Sequence, residues 1–175
     1  EPIVLEDDRG YFFESFNQSK FEAAIGRPAT FVQDNHSKST QGVLRGLHYQ
    51  LPPHAQAKLV RVVHGEIFDV AVDLRETSPT FGRWVGESLS AANKRQMWIP
   101  EGFAHGLLTL SDTAEVLYKT TAFYARQHER AIAWDDNIIN VVWPRVPSLK
   151  LSEKDAHAAA FKQIGFKNED DSENP

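Results

Sequence analysis

The chain has 175 residues, 41% of them hydrophobic and 11% aromatic, with a net charge of −5 and no cysteine. That length suits one domain with a substantial core, residues 1–166, followed by an acidic tail, 167–175, expected to fray. The composition excludes disulfides and thiolate chemistry, and the negative balance speaks against nucleic acid as a partner. No apolar run nears the roughly 20 residues that span a bilayer, and no secretory signal pattern is read, so a cytoplasmic location away from membranes is expected.

In chain order, "FNQSKFEAAIG" (Phe16 to Gly26) reads as a helix, with Asn17 as N-cap and Gly26 as its stop. "GVLRGLHYQ" reads as a buried strand that nevertheless carries Arg45 and His48. "QAKLVRVV", His64-Gly65 and "EIFDVAVDL" read as the two strands and tight turn of a hairpin. "RWVGESLS" follows, with Asn93 as a turn residue, then "RQMWIP", "GFAHGLLTL", a Ser111-Asp112 turn and "AEVLYKTTAFY". "SEKDAHAAAFKQIG" is a second helix candidate with Ser152 as N-cap. Strands spaced about 10 residues apart, with few helices, predict an antiparallel sandwich or barrel.

Strand parity sorts the polar residues, because side chains two apart share a face. Lys58 shares a face with Val60 and Val62, and Tyr118 shares one with Val116 and Thr120. Phe68, Val70, Val72 and Leu74 make an apolar face, while Ile67, Asp69, Ala71 and Asp73 make a mixed one. Polar groups on otherwise apolar faces predict a barrel whose interior is a binding cavity. Arg45 and His48 are an odd number apart, so an undistorted strand sends them to opposite faces. Gly46 permits a bulge that returns both to one pocket.

Several chemistries have no motif here. There is no phosphate loop, dinucleotide fingerprint, Gly-x-Ser-x-Gly elbow or His-Glu-x-x-His pair. The His-x-His of a metal-binding barrel is missing too, since His48 is followed by Tyr49-Gln50, and no metal is expected.

"VLRGLHYQ" with "AKLVRVVHGEIFDVAVDLR", "SPTFGRWVGESLSAANKRQMWIPEGFAHGLLTLSD", "EVLYKT" and "LSEKDA" together resemble the dTDP-4-dehydrorhamnose 3,5-epimerase family. The resemblance runs from "DDRGYFFESFN" to "LSEKDA", most of the chain. It implies a mainly β, cupin-like double-stranded β-helix (a jelly-roll barrel) with a few short helices. It also implies a homodimer with strand exchange at the N-terminus. The implied reaction is epimerisation, without a cofactor, at C3 and C5 of dTDP-4-dehydro-6-deoxy-D-glucose.

The resemblance further implies roles for individual residues. His48 matches the general base and Asp155 its partner; Tyr118 matches the acid on the opposite face, and Lys58 the cation beside the C4 oxygen. Arg45 and Arg9 match the diphosphate site, and Gln33, Asn35 and Glu14 other substrate-binding positions. Phe12 and Tyr124 match rings that stack on thymine, completed by the other subunit, and His105 has a supporting place in the pocket. Asp69 reads equally as a partner for a pocket histidine or as a turn-proximal carboxylate. Two kinds of alternative stay open. The same base and acid would serve a single-site epimerase or a ketoisomerase, and the barrel alone would serve a non-catalytic sugar-nucleotide binder.

Overall fold

The computed structural model describes residues 1–163; the expected tail, 167–175, lies outside the described residues. The chain opens with two short strands, β1 (Leu5–Asp7) and β2 (Gly10–Phe12), which pair with each other as an exposed hairpin. Helix α1 (Gln18–Ile25) follows as expected, its N-cap Asn17 accepting from the Lys20 N–H and its end at Gly26. Then come β3 (Gln33–Thr40), β4 (Leu44–Gln50), β5 (Lys58–His64), β6 (Glu66–Asp73) and β7 (Trp84–Ser90). They are followed by β8 (Gln96–Ile99), β9 (Phe103–Thr109), β10 (Thr113–Thr120) and the short β11 (Glu129–Ala131). Helix α2 (Glu153–Ala156) lies near the end. No helix among the described residues is long and apolar enough to cross a membrane.

Two antiparallel sheets, ordered β3-β10-β5-β8 and β11-β4-β9-β6-β7, face each other as a cupin-like jelly roll. Their inner faces meet in one core, where Val60, Val62 and Val116 of the first sheet pack with Ile67, Ala71, Leu89 and Leu107 of the second. A second core covers the back of the larger sheet, where Leu47, Val70, Val72 and Ala104 pack against Ile132, Ile139 and Phe161. The apolar face of β6 therefore looks outward to this covering layer. Its mixed face, with Asp69, looks into the barrel.

Two expectations need correction. The strands on either side of His64-Gly65 both form, but they are not a hairpin: β5 pairs with β10 and β8, and β6 with β7 and β9. Both strands have apolar residues to bury in the same interior, and the chain satisfies them by crossing from one sheet to the other. Gly65 makes this corner at φ +73, where a Cβ would lie 2.1 Å from the Thr113 carbonyl oxygen. The second expected helix is also much shorter than "SEKDAHAAAFKQIG". Ser152 does cap α2, but the helix ends at Ala156. Ala159 then bridges to Ile132, and a single 3-10 turn forms at Phe161–Gln163. Burial of Phe161 overrides the helical preference of the alanines.

The bulge at Gly46 forms. On β9 one residue separates the partners of Arg45 and His48 (Leu107 and His105); on β4 two residues do. Leu47 enters the back core, while Arg45 and His48 both line the interior cavity. Gly46 sits at φ +118, and a Cβ there would lie 2.5 Å from Gly106 Cα. Gly46→Ala is therefore expected to destabilise the fold by about 2–3 kcal/mol in urea unfolding. A loss within about 0.5 kcal/mol, as at an ordinary surface position, would count against the bulge as the constraint.

Candidate active site

The cavity has two adjoining lobes of about 400 and 270 Å³, which share His48, Lys58 and Tyr118. These three side chains come from opposite walls. His48 projects from β4 in the larger sheet, and Lys58 and Tyr118 from β5 and β10 in the smaller one. The strands themselves fix this arrangement: Tyr118 lies opposite Val60 on β5, and His48 opposite His105 on β9.

His48 Nε2 lies 2.5 Å from Asp155 Oδ1, and the Asp155 side chain is only 4% exposed. Burial pushes the Asp155 carboxyl up, but hydrogen bonds from His48, Ser152 and the Gly46 N–H outweigh it and hold the group below the ordinary carboxylate value. An ionised Asp155 can only accept, so Nε2 carries the proton. His48 Nδ1, with no partner among the described residues, is left as the basic nitrogen.

Across the cavity the Tyr118 phenol is held above its ordinary value, mainly by burial; the Arg45 charge opposes the shift and Glu129 adds to it. It is therefore protonated and able to donate at neutral pH. Lys58 is buried, and its ammonium has no hydrogen-bond or ion-pair partner among the described residues. Burial lowers it to about 8, against the pull of Asp69 and Glu129. A base facing an acid, with a desolvated cation on the acid's wall of the same cavity, is a proton-transfer site able to stabilise a developing oxyanion.

A second imidazole–carboxylate pair lies behind the first. His105 Nε2 is 2.6 Å from Asp69 Oδ1, and both side chains are buried. Burial holds His105 below its usual value despite the Asp69 charge, so the ring is neutral. Asp69 Oδ2 is buried without a hydrogen-bond partner among the described residues.

Gln33, Asn35 and Tyr124 line the smaller lobe. Gln33 donates to Asn35 Oδ1 at 2.9 Å and accepts from the Tyr124 backbone N–H at 3.1 Å. Arg45 lines the larger lobe and donates from Nε to Ser39 Oγ at 3.1 Å. Arg9, Phe12 and Glu14 do not line this cavity in the chain. Arg9 is exposed in the β1–β2 turn and pairs with Asp7. Phe12 is 66% exposed, and Glu14 pairs with Lys20 beside a separate apolar groove under α1.

Sequence reasoning missed Glu129 and Lys154. Glu129 lines the smaller lobe, accepts from the Tyr124 hydroxyl at 2.9 Å and pairs with Lys154 at 2.6 Å. Strand β11 forms against the outer edge of β4, opposite Gln50, and no periodicity in "ERA" announces it. Asp69, left open by the sequence, is the partner of a pocket histidine.

The fold and site define an acid–base enzyme built in a jelly-roll barrel. The family model described as dTDP-4-dehydrorhamnose 3,5-epimerase matches residues 1–163. The chain is 64% identical to a dTDP-4-dehydrorhamnose 3,5-epimerase of Shigella flexneri, over 95% of this chain and 91% of that one. A similarly named protein of Pseudomonas aeruginosa is 63% identical over 92% of this chain and 88% of its own. The crystal structure of a dTDP-6-deoxy-D-glucose-3,5-epimerase from Legionella pneumophila, in complex with dTDP-4-keto-L-rhamnose, superposes with a TM-score of 0.91. It is 50% identical, over 94% of this chain and 87% of that one. The chain belongs to the dTDP-4-dehydrorhamnose 3,5-epimerase family and is an isomerase.

Lys58 has a thermodynamic consequence. Its folded value of about 8 lies below the ordinary 10.5, so the folded state binds fewer protons between those limits. Its contribution to stability therefore rises with pH through that window, and below about 8 the buried charge costs its full amount, roughly 3 kcal/mol. Lys58→Met is expected to stabilise the protein at pH 7 by about 1–3 kcal/mol and to remove this rise between pH 8 and 10.5. Chemical denaturation at several pH values checks both, and a destabilised Met variant would refute the cost.

Proposed function

We propose that the protein converts dTDP-4-dehydro-6-deoxy-D-glucose to dTDP-4-dehydro-L-rhamnose by inverting C3 and C5 in the cavity around His48. The observation that carries this reading is the placement of His48–Asp155 on one wall and, on the other, of Tyr118 with Lys58, an ammonium that has no partner among the described residues. The C4 ketone acidifies the protons on both neighbouring carbons. His48 Nδ1 takes a proton, and the electron pair moves into the ketone to give an enolate. Lys58 holds the negative oxygen. The Tyr118 hydroxyl delivers a proton to the opposite face, and the C–H bond re-forms inverted. Asp155 steadies the imidazolium while it exists. Between the two inversions His48 gives its proton to water and the Tyr118 phenolate takes one from water, so the same groups serve both carbons in turn.

The nucleotide extends over Tyr124, Gln33 and Asn35, with Arg45 on the diphosphate and His105 supporting the pocket wall. We assign Arg9, Phe12 and Glu14 to the cavity of a second subunit in a homodimer, because the β1–β2 hairpin is exposed and pairs with no other strand among the described residues. Leu5 and Phe12 on that hairpin are large apolar side chains left 62% and 66% exposed, which a partner would cover. The cysteine-free chain suits the reducing cytoplasm.

Proton NMR of the substrate in D2O tests the chemistry. Deuterium is expected at both C3 and C5, and His48→Asn is expected to slow its entry by about 10²–10⁴-fold. Tyr118→Phe should still admit label from the His48 face while inversion falls by about 10²-fold or more. Label at one carbon would make the protein a single-site epimerase, and binding without exchange would leave it a sugar-nucleotide binder. Deleting residues 1–15 should turn a dimer into a monomer in sedimentation and raise KM; a full-length chain that sediments as a monomer would overturn the dimer.

A further inference from the structure

Asp155 reaches the barrel on a strap rather than on a sheet. The strap is fastened to the β4 edge through the Leu44 N–H to the Lys150 carbonyl, 3.0 Å, and the Lys150 N–H to the Gly42 carbonyl, 2.8 Å. It then turns into the four-residue α2, which is too short to hold a side chain rigidly by itself. One hydroxyl makes two bonds at this point. Ser152 Oγ accepts from the Asp155 backbone N–H at 3.1 Å and donates to Asp155 Oδ2 at 2.8 Å. The first bond is an ordinary N-cap. The second is not required by capping, and it occupies the carboxylate oxygen that His48 does not use.

We propose that Ser152 is a positioning residue for the His48–Asp155 pair. By holding Oδ2, it turns Oδ1 toward His48 Nε2 and fixes the ring with Nδ1 facing the substrate. The inference rests on the proposed role of His48 and Asp155. Ser152 is exposed, so its replacement removes little packing and reads the hydroxyl itself.

Substitutions separate the two bonds. Ser152→Asp keeps a side chain that caps as well as serine but cannot donate to a carboxylate when ionised. Ser152→Ala loses both bonds, and Ser152→Thr keeps both. Ser152→Asp and Ser152→Ala are expected to lower kcat by about 10- to 100-fold with KM nearly unchanged, while Ser152→Thr restores most of the rate. If capping alone mattered, Ser152→Asp would match the wild type, and that result would overturn the proposal. Adding Ser152→Ala to Asp155→Asn should cost nothing further, since the hydroxyl acts through that carboxylate. A full additional loss in the double variant would also overturn it. If Asp155→Asn alone left kcat unchanged, the failure would lie with the proposed base pair, and the Ser152 proposal would fall with it.

Discussion

Holding an ammonium inside a β-barrel is the constraint around which this site is arranged. Lys58 lies on β5, between β10 and β8, with its side chain turned inward. Burial favours the neutral amine, and a carboxylate in direct contact would restore the charge at the expense of its use. The structure takes an intermediate course. Asp69 and Glu129 attract the ammonium through space, neither is bonded to it, and each is engaged elsewhere. The cation remains available to an oxygen that acquires charge during a reaction, and the fold bears its desolvation.

The other groups follow from the same economy of charge. Asp69 is fully buried and is tolerated because His105 donates to one of its oxygens. His105 stays neutral, so the wall behind the cavity carries one negative charge rather than an ion pair. His48 and His105 are direct cross-strand neighbours, yet their carboxylates come from different places, Asp155 from the strap and Asp69 from β6. The two imidazoles thus experience different surroundings. One is partly exposed with an Nδ1 that has no partner among the described residues, and the other is buried in the cavity wall.

Much of this was legible in the sequence because a strand has a period of two. The inward faces of β5 and β10 and the mixed face of β6 were visible as alternation, and Asn17, Gly26 and Ser152 marked helix ends correctly. Strand pairing was not legible in the same way. Alternation sets which face a residue occupies but not which strand lies beside it, so a sheet-to-sheet corner at Gly65 reads like a hairpin. Strand β11 has three residues and depends on the edge of β4, which hid Glu129. The alanines after α2 favour helix locally, but anchoring Ala159 and Phe161 to the back layer breaks it. Asp155 was found only through "LSEKDA" as a unit, since 107 positions separate it from His48.

The bulge shows how these levels join. Sliding β4 along β9 could not bring Arg45 and His48 to one face, since residues an odd number apart stay on opposite faces in any register, and it would turn Leu47 out of the back core, where it is fully buried. An extra residue at Gly46 avoids that conflict: the register shifts once, Leu47 stays outside the barrel, and both polar side chains enter it. The same local geometry points the Gly46 N–H at Asp155, so the residue that resets the strand also helps hold the carboxylate paired with His48. Packing on one side of β4 and proton chemistry on the other are therefore served by one glycine, and a side chain there would strain both.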